Sequence, residues 1–482
     1  MLLKCITLMA LAATPTLAQT VHSVLVFTRH GDRTAKYYQG YHMTNLGATQ
    51  LYSSGGFYRQ RYVNEGAPSR VAGISADEVI RSQIWASAPD QAILYQTATN
   101  FLQGLYPPLG ELNSTLATEE LANGTSSQAP LNGYQFIQIH GEGDTDPDTI
   151  WLKGDDACPA HDKASESYRQ SEGYQRTLSQ SADFYSRFTP LLANLMGGEN
   201  VSYSHGYDVF DLLNVAAIHN ASVASDIKRE DLDQLRYLAN EREWNLNYNA
   251  TQPDRSIGGM ALAGGFLRQL RTVVDSKAKT KFSLMSGSYD TFLSFFGLTN
   301  LTAASSDFQG LPNYAASMAL ELYTDDTNAQ FPATPEQDLM VRFMFRNGTD
   351  ERDSLNAYPL FGGSDESMPY GRFVQELSSR SIQTVADWCT TCQSEQEFCS
   401  TATTRSDAAA SSASSSSHEP GSGLSNAAAG AIGAVVALAV AAILAGAAFL
   451  AWRRKTHRSD AALSRRPALE KRLSDSERSS PV

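Results

Sequence analysis

The stretch Val24-Leu25-Val26-Phe27-Thr28-Arg29-His30-Gly31-Asp32-Arg33-Thr34 decides the reading of this chain. Its first half is β-branched and apolar, a strand that can be buried on both faces of a sheet. Its second half places two arginines around a histidine and a glycine, at the strand end where open α/β folds bind ligands. Guanidinium groups match phosphate oxygens in bidentate fashion, so Arg29 and Arg33 can cradle a dianion. Between them, a neutral His30 imidazole can attack phosphorus and divide one hard displacement into two easier ones. Gly31 lets backbone approach a ligand closely. The bland reading, a solvated strand-end loop, is disfavoured by the order of apolar strand and cationic loop.

On these residues the chain resembles the histidine acid phosphatases, whose signature is R-H-G-x-R-x-P; Ala35 stands where the proline would be. The likeness continues through Thr44 to Gln50, Tyr58 to Val63, Gly104-Leu105-Tyr106-Pro107-Pro108, Ser202 to Asn220, Ile257 to Gly264 and Trp388 to Cys392, covering roughly residues 20 to 400. The resemblance implies an α/β fold: a phosphoglycerate-mutase-like central sheet flanked by helices, with an inserted, mostly helical cap over roughly residues 110–265. It also implies that His30 is the nucleophile, that Arg29 and Arg33 hold the phosphate, and that Asp290 in Ser288-Tyr289-Asp290-Thr291 is the proton donor.

Two positions depart from the family pattern. Counting back from the Gly104 turn, Ser87 stands where a third arginine is expected, and Tyr289 replaces the histidine of a His-Asp pair. An oxyanion-stabilising donor is worth about 3 to 4 kcal/mol of barrier, so two losses threaten turnover. Arg81 lies close in sequence and Tyr289 keeps a hydroxyl that can bind phosphate, but arginine at Arg81 is more often a surface residue. Asp290 is also a candidate N-cap for a helix beginning at Thr291. His140, His161, His205 and His219 read as surface or hydrogen-bonded histidines, with His205 a remote candidate for the missing donor.

The flanks speak of topology. Residues 1–18 carry Lys4, an apolar stretch and a small-residue end at Thr16-Leu17-Ala18, a secretory signal peptide. The ectodomain then spans 19–400, followed by a Ser/Ala-rich stalk at 401–425. A transmembrane helix is expected over 426–452, where Ala427 to Trp452 holds no charge and Arg453-Arg454-Lys455 follows at once. A lipid-anchor signal would end in its apolar run, whereas this chain continues through a basic tail at 453–482. That tail has nine Lys/Arg and four Asp/Glu; taking these from 38 and 51 leaves 29 against 47, a formal charge of −18 elsewhere. Nucleic acid is an unsuitable partner for such a surface.

Seven N-x-Ser/Thr sequons, at Asn113, Asn123, Asn200, Asn220, Asn249, Asn300 and Asn347, all fall on the expected outer side. After the signal, Cys158, Cys389, Cys392 and Cys399 remain, an even count suited to an oxidising route. Three pairings are open; the expectation is one long bridge from Cys158 into the C-terminal cluster and one local bridge. Zinc at Cys389-x-x-Cys392 is disfavoured because no second metal-like pair accompanies it. The sequence reading is therefore a type I, single-pass membrane glycoprotein, outside the cell or in a secretory or vacuolar lumen. Its expected activity is metal- and cofactor-independent hydrolysis of phosphate monoesters through phosphohistidine. A catalytically impaired phospho-ligand binder is the alternative, and a phosphate-transferring mutase a distant third.

Overall fold

A computed structural model describes residues 19–350 and 352–402. Its strands are β1 (Thr20–Arg29), β2 (Ile84–Pro89), β3 (Thr118–Glu120), β4 (Ser126–Gln128), β5 (His140–Glu142), β6 (Phe282–Gly287), β7 (Ser317–Thr324), β8 (Met340–Arg346), β9 (Asn356–Ala357) and β10 (Ser367–Pro369). The main sheet runs β10-β8-β7-β1-β6-β2-β5, with β9 beside β8; β3 and β4 form a separate hairpin. Pairing is parallel from β1 through β6 and β2 to β5, and antiparallel from β1 through β7 to β8.

The central β1 is buried on both faces, as its unbroken apolar run requires. Val24 and Val26 join one core, with Tyr58, Phe101 and Phe282; Leu25 and Phe27 join another, with Phe266, Phe292 and Trp388. Over the first core, helices Asn45–Tyr62 and Ala92–Leu105 cross at glycines: a Cβ on Gly55 would lie 1.9 Å from the Phe101 carbonyl oxygen. Over the second lie helices Ile257–Asp275 and Tyr289–Leu298.

The sequence places strands at Val24 to Phe27 and Phe282 to Met285, and the structure makes them adjacent parallel neighbours, Arg29 opposite Gly287. Both chemical segments therefore emerge at one end of the sheet. Helices between Pro159 and Asn247 build a third core over that end, to which Ala35, Tyr289 and Leu293 contribute from below. Cys158 bridges to Cys392 and Cys389 to Cys399, the long and local bridges expected. Among the described residues no helix is long and apolar enough to cross a membrane. The expected signal peptide, the stalk beyond residue 402, the 426–452 span and the basic tail lie outside the described residues.

Candidate active site

Beyond the end of β1 the chain turns sharply, and Gly31 permits it: a Cβ there would sit 2.3 Å from the Gly47 carbonyl oxygen. The glycine thus serves a close approach to helix Asn45–Tyr62 rather than to a ligand. Asp32, fully buried, anchors the loop by accepting from the Thr44 hydroxyl and by meeting His219 Nε2 at 2.7 Å.

His30 is 5% exposed, and its Nδ1 lies 2.9 Å from the Gly31 carbonyl oxygen. A carbonyl only accepts, so Nδ1 carries the proton and Nε2 presents a lone pair. Burial, then the facing Arg29 and Arg33 charges, hold the imidazole well below its usual protonation range. The ring faces a cavity of about 250 Å³ that also exposes Arg33, Lys36, Asp155, Tyr289 and Asp290.

Arg33 is fully buried, with Nη1 2.9 Å from Asp211 Oδ2 and Nη2 2.9 Å from the Tyr207 hydroxyl, both on helix Gly206–His219. Burial opposes its charge, but Tyr207 and Asp211 outweigh that and raise its pKa above the ordinary value. Its Nε has no partner. Arg29 Nε is likewise buried and unpartnered, while Nη1 donates to the Pro312 carbonyl. The Arg29 guanidinium lies 4.9 Å from the Tyr314 ring centre and 5.4 Å from that of Tyr289. It lines a second cavity, with Tyr314 and Arg236, and not the one that His30 faces. Buried N–H groups are seldom left unpaired, and each motif guanidinium keeps one such donor, Arg33 in the wall of the His30 cavity and Arg29 in that of the other.

Asp290 occupies the first turn of helix Tyr289–Leu298, and its Oδ1 accepts from Thr291 N at 2.8 Å. The cap position belongs to Ser288, two residues before the expected Asp290, because the helix already begins at Tyr289. Tyr289 stacks on Tyr207 with centroids 4.7 Å apart and donates its hydroxyl to Glu243 at 2.9 Å. The donor expected to reach phosphate is committed to a buried carboxylate. Tyr289→Phe is accordingly expected to lower stability by about 1 kcal/mol and to leave KM for a phosphate monoester unchanged. Thermal melts and steady-state kinetics check this, and a tenfold rise in KM would return the hydroxyl to the phosphate.

Ser87, opposite Met285 and His140 on β2, donates to Glu142 at 3.0 Å and lines a neighbouring cavity with Trp85. Arg81 is exposed at the other end of β2, where it donates to Gln138 and cannot stand in for the third arginine. His205 bonds the Ser204 hydroxyl, and His140 stacks on Trp85. What the sequence did not flag are Lys36, Lys153 and Asp155 in the cavity wall. Lys36 was in principle findable, three residues past Arg33; Asp155 carries no spacing signal at all. Asn123, Asn220, Asn300 and Asn347 are exposed, whereas Asn113, Asn200 and Asn249 are half-buried.

A buried histidine flanked in the chain by two arginines thus stands at the end of the mixed sheet. The chain belongs to branch 2 of the histidine phosphatase superfamily, whose model matches residues 38–346. Bovine (Bos taurus) prostatic acid phosphatase is 23% identical over 392 residues, covering 78% of this chain and 88% of the relative. Counting factor 60 of Dictyostelium discoideum is 23% identical over 354 residues, covering 72% of this chain and 71% of that protein. Among solved structures, Citrobacter braakii phytase matches with a TM-score of 0.51 at 11% identity, over 75% of this chain and 98% of the enzyme. Apo Hafnia alvei phytase matches with a TM-score of 0.51 at 13% identity, over 78% of this chain and 99% of the enzyme. At such identities the structural likeness speaks for the fold.

Proposed function

We propose that this protein hydrolyses phosphate monoesters through a covalent phosphohistidine on His30, with Asp290 protonating the leaving oxygen. The observation that carries the reading is the state of His30: neutral, its Nδ1 tied to the Gly31 carbonyl, its Nε2 open to a cavity beside an orphaned arginine donor. The relatives named as an acid phosphatase and as phytases, and the family itself, support the phosphatase class. In this reading the phosphate charge is met by arginine and lysine, so the chemistry asks for no metal or cofactor. A secretory or extracellular setting, glycosylation and a membrane anchor at 426–452 complete the proposal, supported by two disulfides, the sequons and the uncharged C-terminal run.

A second reading, phosphate binding without turnover, has its own support. Ser87 bonds Glu142 outside the cavity, Tyr289 bonds Glu243, and Arg33 is already neutralised by Asp211. Assaying the full chain with p-nitrophenyl phosphate from pH 3 to 8 separates the two. Saturable release inhibited by inorganic phosphate is expected; phosphate binding without any release would favour the second reading.

The pH dependence has a sign. Because the folded His30 pKa lies well below 6.5, the imidazole stays neutral as pH falls through that value. The acid limb of kcat/KM is therefore expected well below pH 6.5. A limb centred at 6.5 would contradict the assigned environment of His30.

A further inference from the structure

Asp155 sits in the turn before Cys158, where its carboxylate rests on the start of helix Ile257–Asp275: a Cβ on Gly258 would lie 2.9 Å from its Oδ1. At the next residue, Gly259 N donates to Ser294 Oγ at 2.8 Å, which brings helix Tyr289–Leu298 and its first-turn Asp290 alongside. Asp155 and Asp290 line the His30 cavity together. They also line together another, more open cavity of about 580 Å³, bordered by His161 and Glu243. The two carboxyls thus form part of the partition between the pocket that faces the nucleophile and the space beyond it.

We infer that Asp155 and Asp290 act as one acid, a carboxyl pair that shares a single proton at the leaving-group side of the site. Two carboxylates in one half-closed space cannot both ionise cheaply, so one keeps its proton to a higher pH than a lone carboxyl does. Asp290 lies in the first turn of its helix, where its Oδ1 accepts the Thr291 N–H. Burial, then the facing Asp290 and Asp156, accordingly hold Asp155 well above the usual carboxyl range.

The other charges around the pair leave this balance standing. Lys36, from the motif loop, opposes the rise. Lys153, in the same turn, is held by Asp144 and Asp156. Glu243, from helix Arg229–Asn247, is bonded to Arg242 and Tyr289. His161, from helix Pro159–Arg169, is kept towards its neutral form mainly by burial.

The catalytic consequence rests on the hydrolase reading. In the first step the His30 Nε2–P bond forms, the P–O bond of the ester breaks, and the pair's proton passes to the leaving oxygen. In the second, water attacks phosphorus, the N–P bond breaks, and a water proton returns to the pair. Asp155 is a positioning residue in this scheme: it holds the proton that Asp290 delivers.

A melting cycle on the full chain tests the pair without requiring turnover. A carboxyl whose folded pKa is raised adds stability that is complete below its unfolded value, about 3.9, and is lost as pH climbs through the folded pKa. Asp155→Asn, which mimics the protonated form, should therefore gain Tm over wild type by several degrees between pH 4 and pH 7. In an Asp290→Asn background that gain should shrink measurably but persist, because burial, the larger cause, remains. Asp290→Asn alone reads the same coupling should Asp155→Asn fold poorly. A Tm difference flat with pH, or a gain indifferent to Asp290, overturns the inference. In the active enzyme, Asp155→Asn should also move the alkaline limb of kcat/KM down by about one pH unit, and an unmoved limb overturns the proton-holding role. Absent turnover with an intact melting cycle would sink the hydrolase reading and keep the carboxyl pair.

Discussion

Replacing His30 by alanine is expected to reduce phosphate release on the order of a thousandfold or more, the scale seen when a covalent nucleophile is removed. No other described group in the cavity offers a neutral nitrogen fixed between guanidiniums. The loss should be chemical and not structural. His30 is held in the fold by its backbone carbonyl, which accepts from Ala315 N at 2.9 Å, a bond that alanine keeps. His30→Asn, which retains a side-chain donor near the Gly31 carbonyl, should be equally inactive. Initial rates with p-nitrophenyl phosphate beside circular dichroism check both halves of the expectation. Activity within tenfold of wild type would remove His30 from the mechanism.

Opening the Cys158–Cys392 bridge is expected to have the largest effect on stability. The bridge closes a loop spanning 234 residues, for which chain entropy sets a contribution of about 5 kcal/mol, against under about 3 kcal/mol for the ten-residue Cys389–Cys399 loop. For a domain of this size the larger figure corresponds to a Tm loss of roughly 10 °C. The site should feel it too. Cys158 follows Asp155 by three residues, and Trp388 Nε1 donates to the Gly154 carbonyl at 2.7 Å, so the C-terminal helix holds the turn that carries the cavity wall. Paired Cys158→Ala and Cys392→Ala substitutions, melted beside wild type and beside the Cys389→Ala, Cys399→Ala pair, test this. Equal melting of the two double variants would contradict the loop argument.

Much of the frame was legible from local pattern. β1 and β6 are unbroken apolar runs ending in polar motifs, and such runs become buried parallel neighbours whose ends converge. The cysteine spacing was equally readable, because three of the four lie within eleven residues and leave Cys158 to reach them. What stayed hidden depends on contacts across long stretches of chain. Arg33 finds Asp211 across 178 residues, Tyr289 finds Glu243 across 46, and Arg29 turns toward Pro312 across 283. Each is decided by how the helices over the sheet end pack, which no local spacing encodes. The same packing explains the division of the motif arginines: Tyr289 stacked on Tyr207 stands beside Arg29, whose cavity is not the one His30 faces.

The central claim, a covalent bond from phosphorus to the imidazole of residue 30, can be read directly. A phosphate monoester labelled in its phosphoryl group would be mixed with the full chain, denatured in alkali within milliseconds, and the labelled peptide mapped. The account predicts label on His30, absent from His30→Ala. Label on another residue, or steady turnover with no labelled protein at any time, would contradict it.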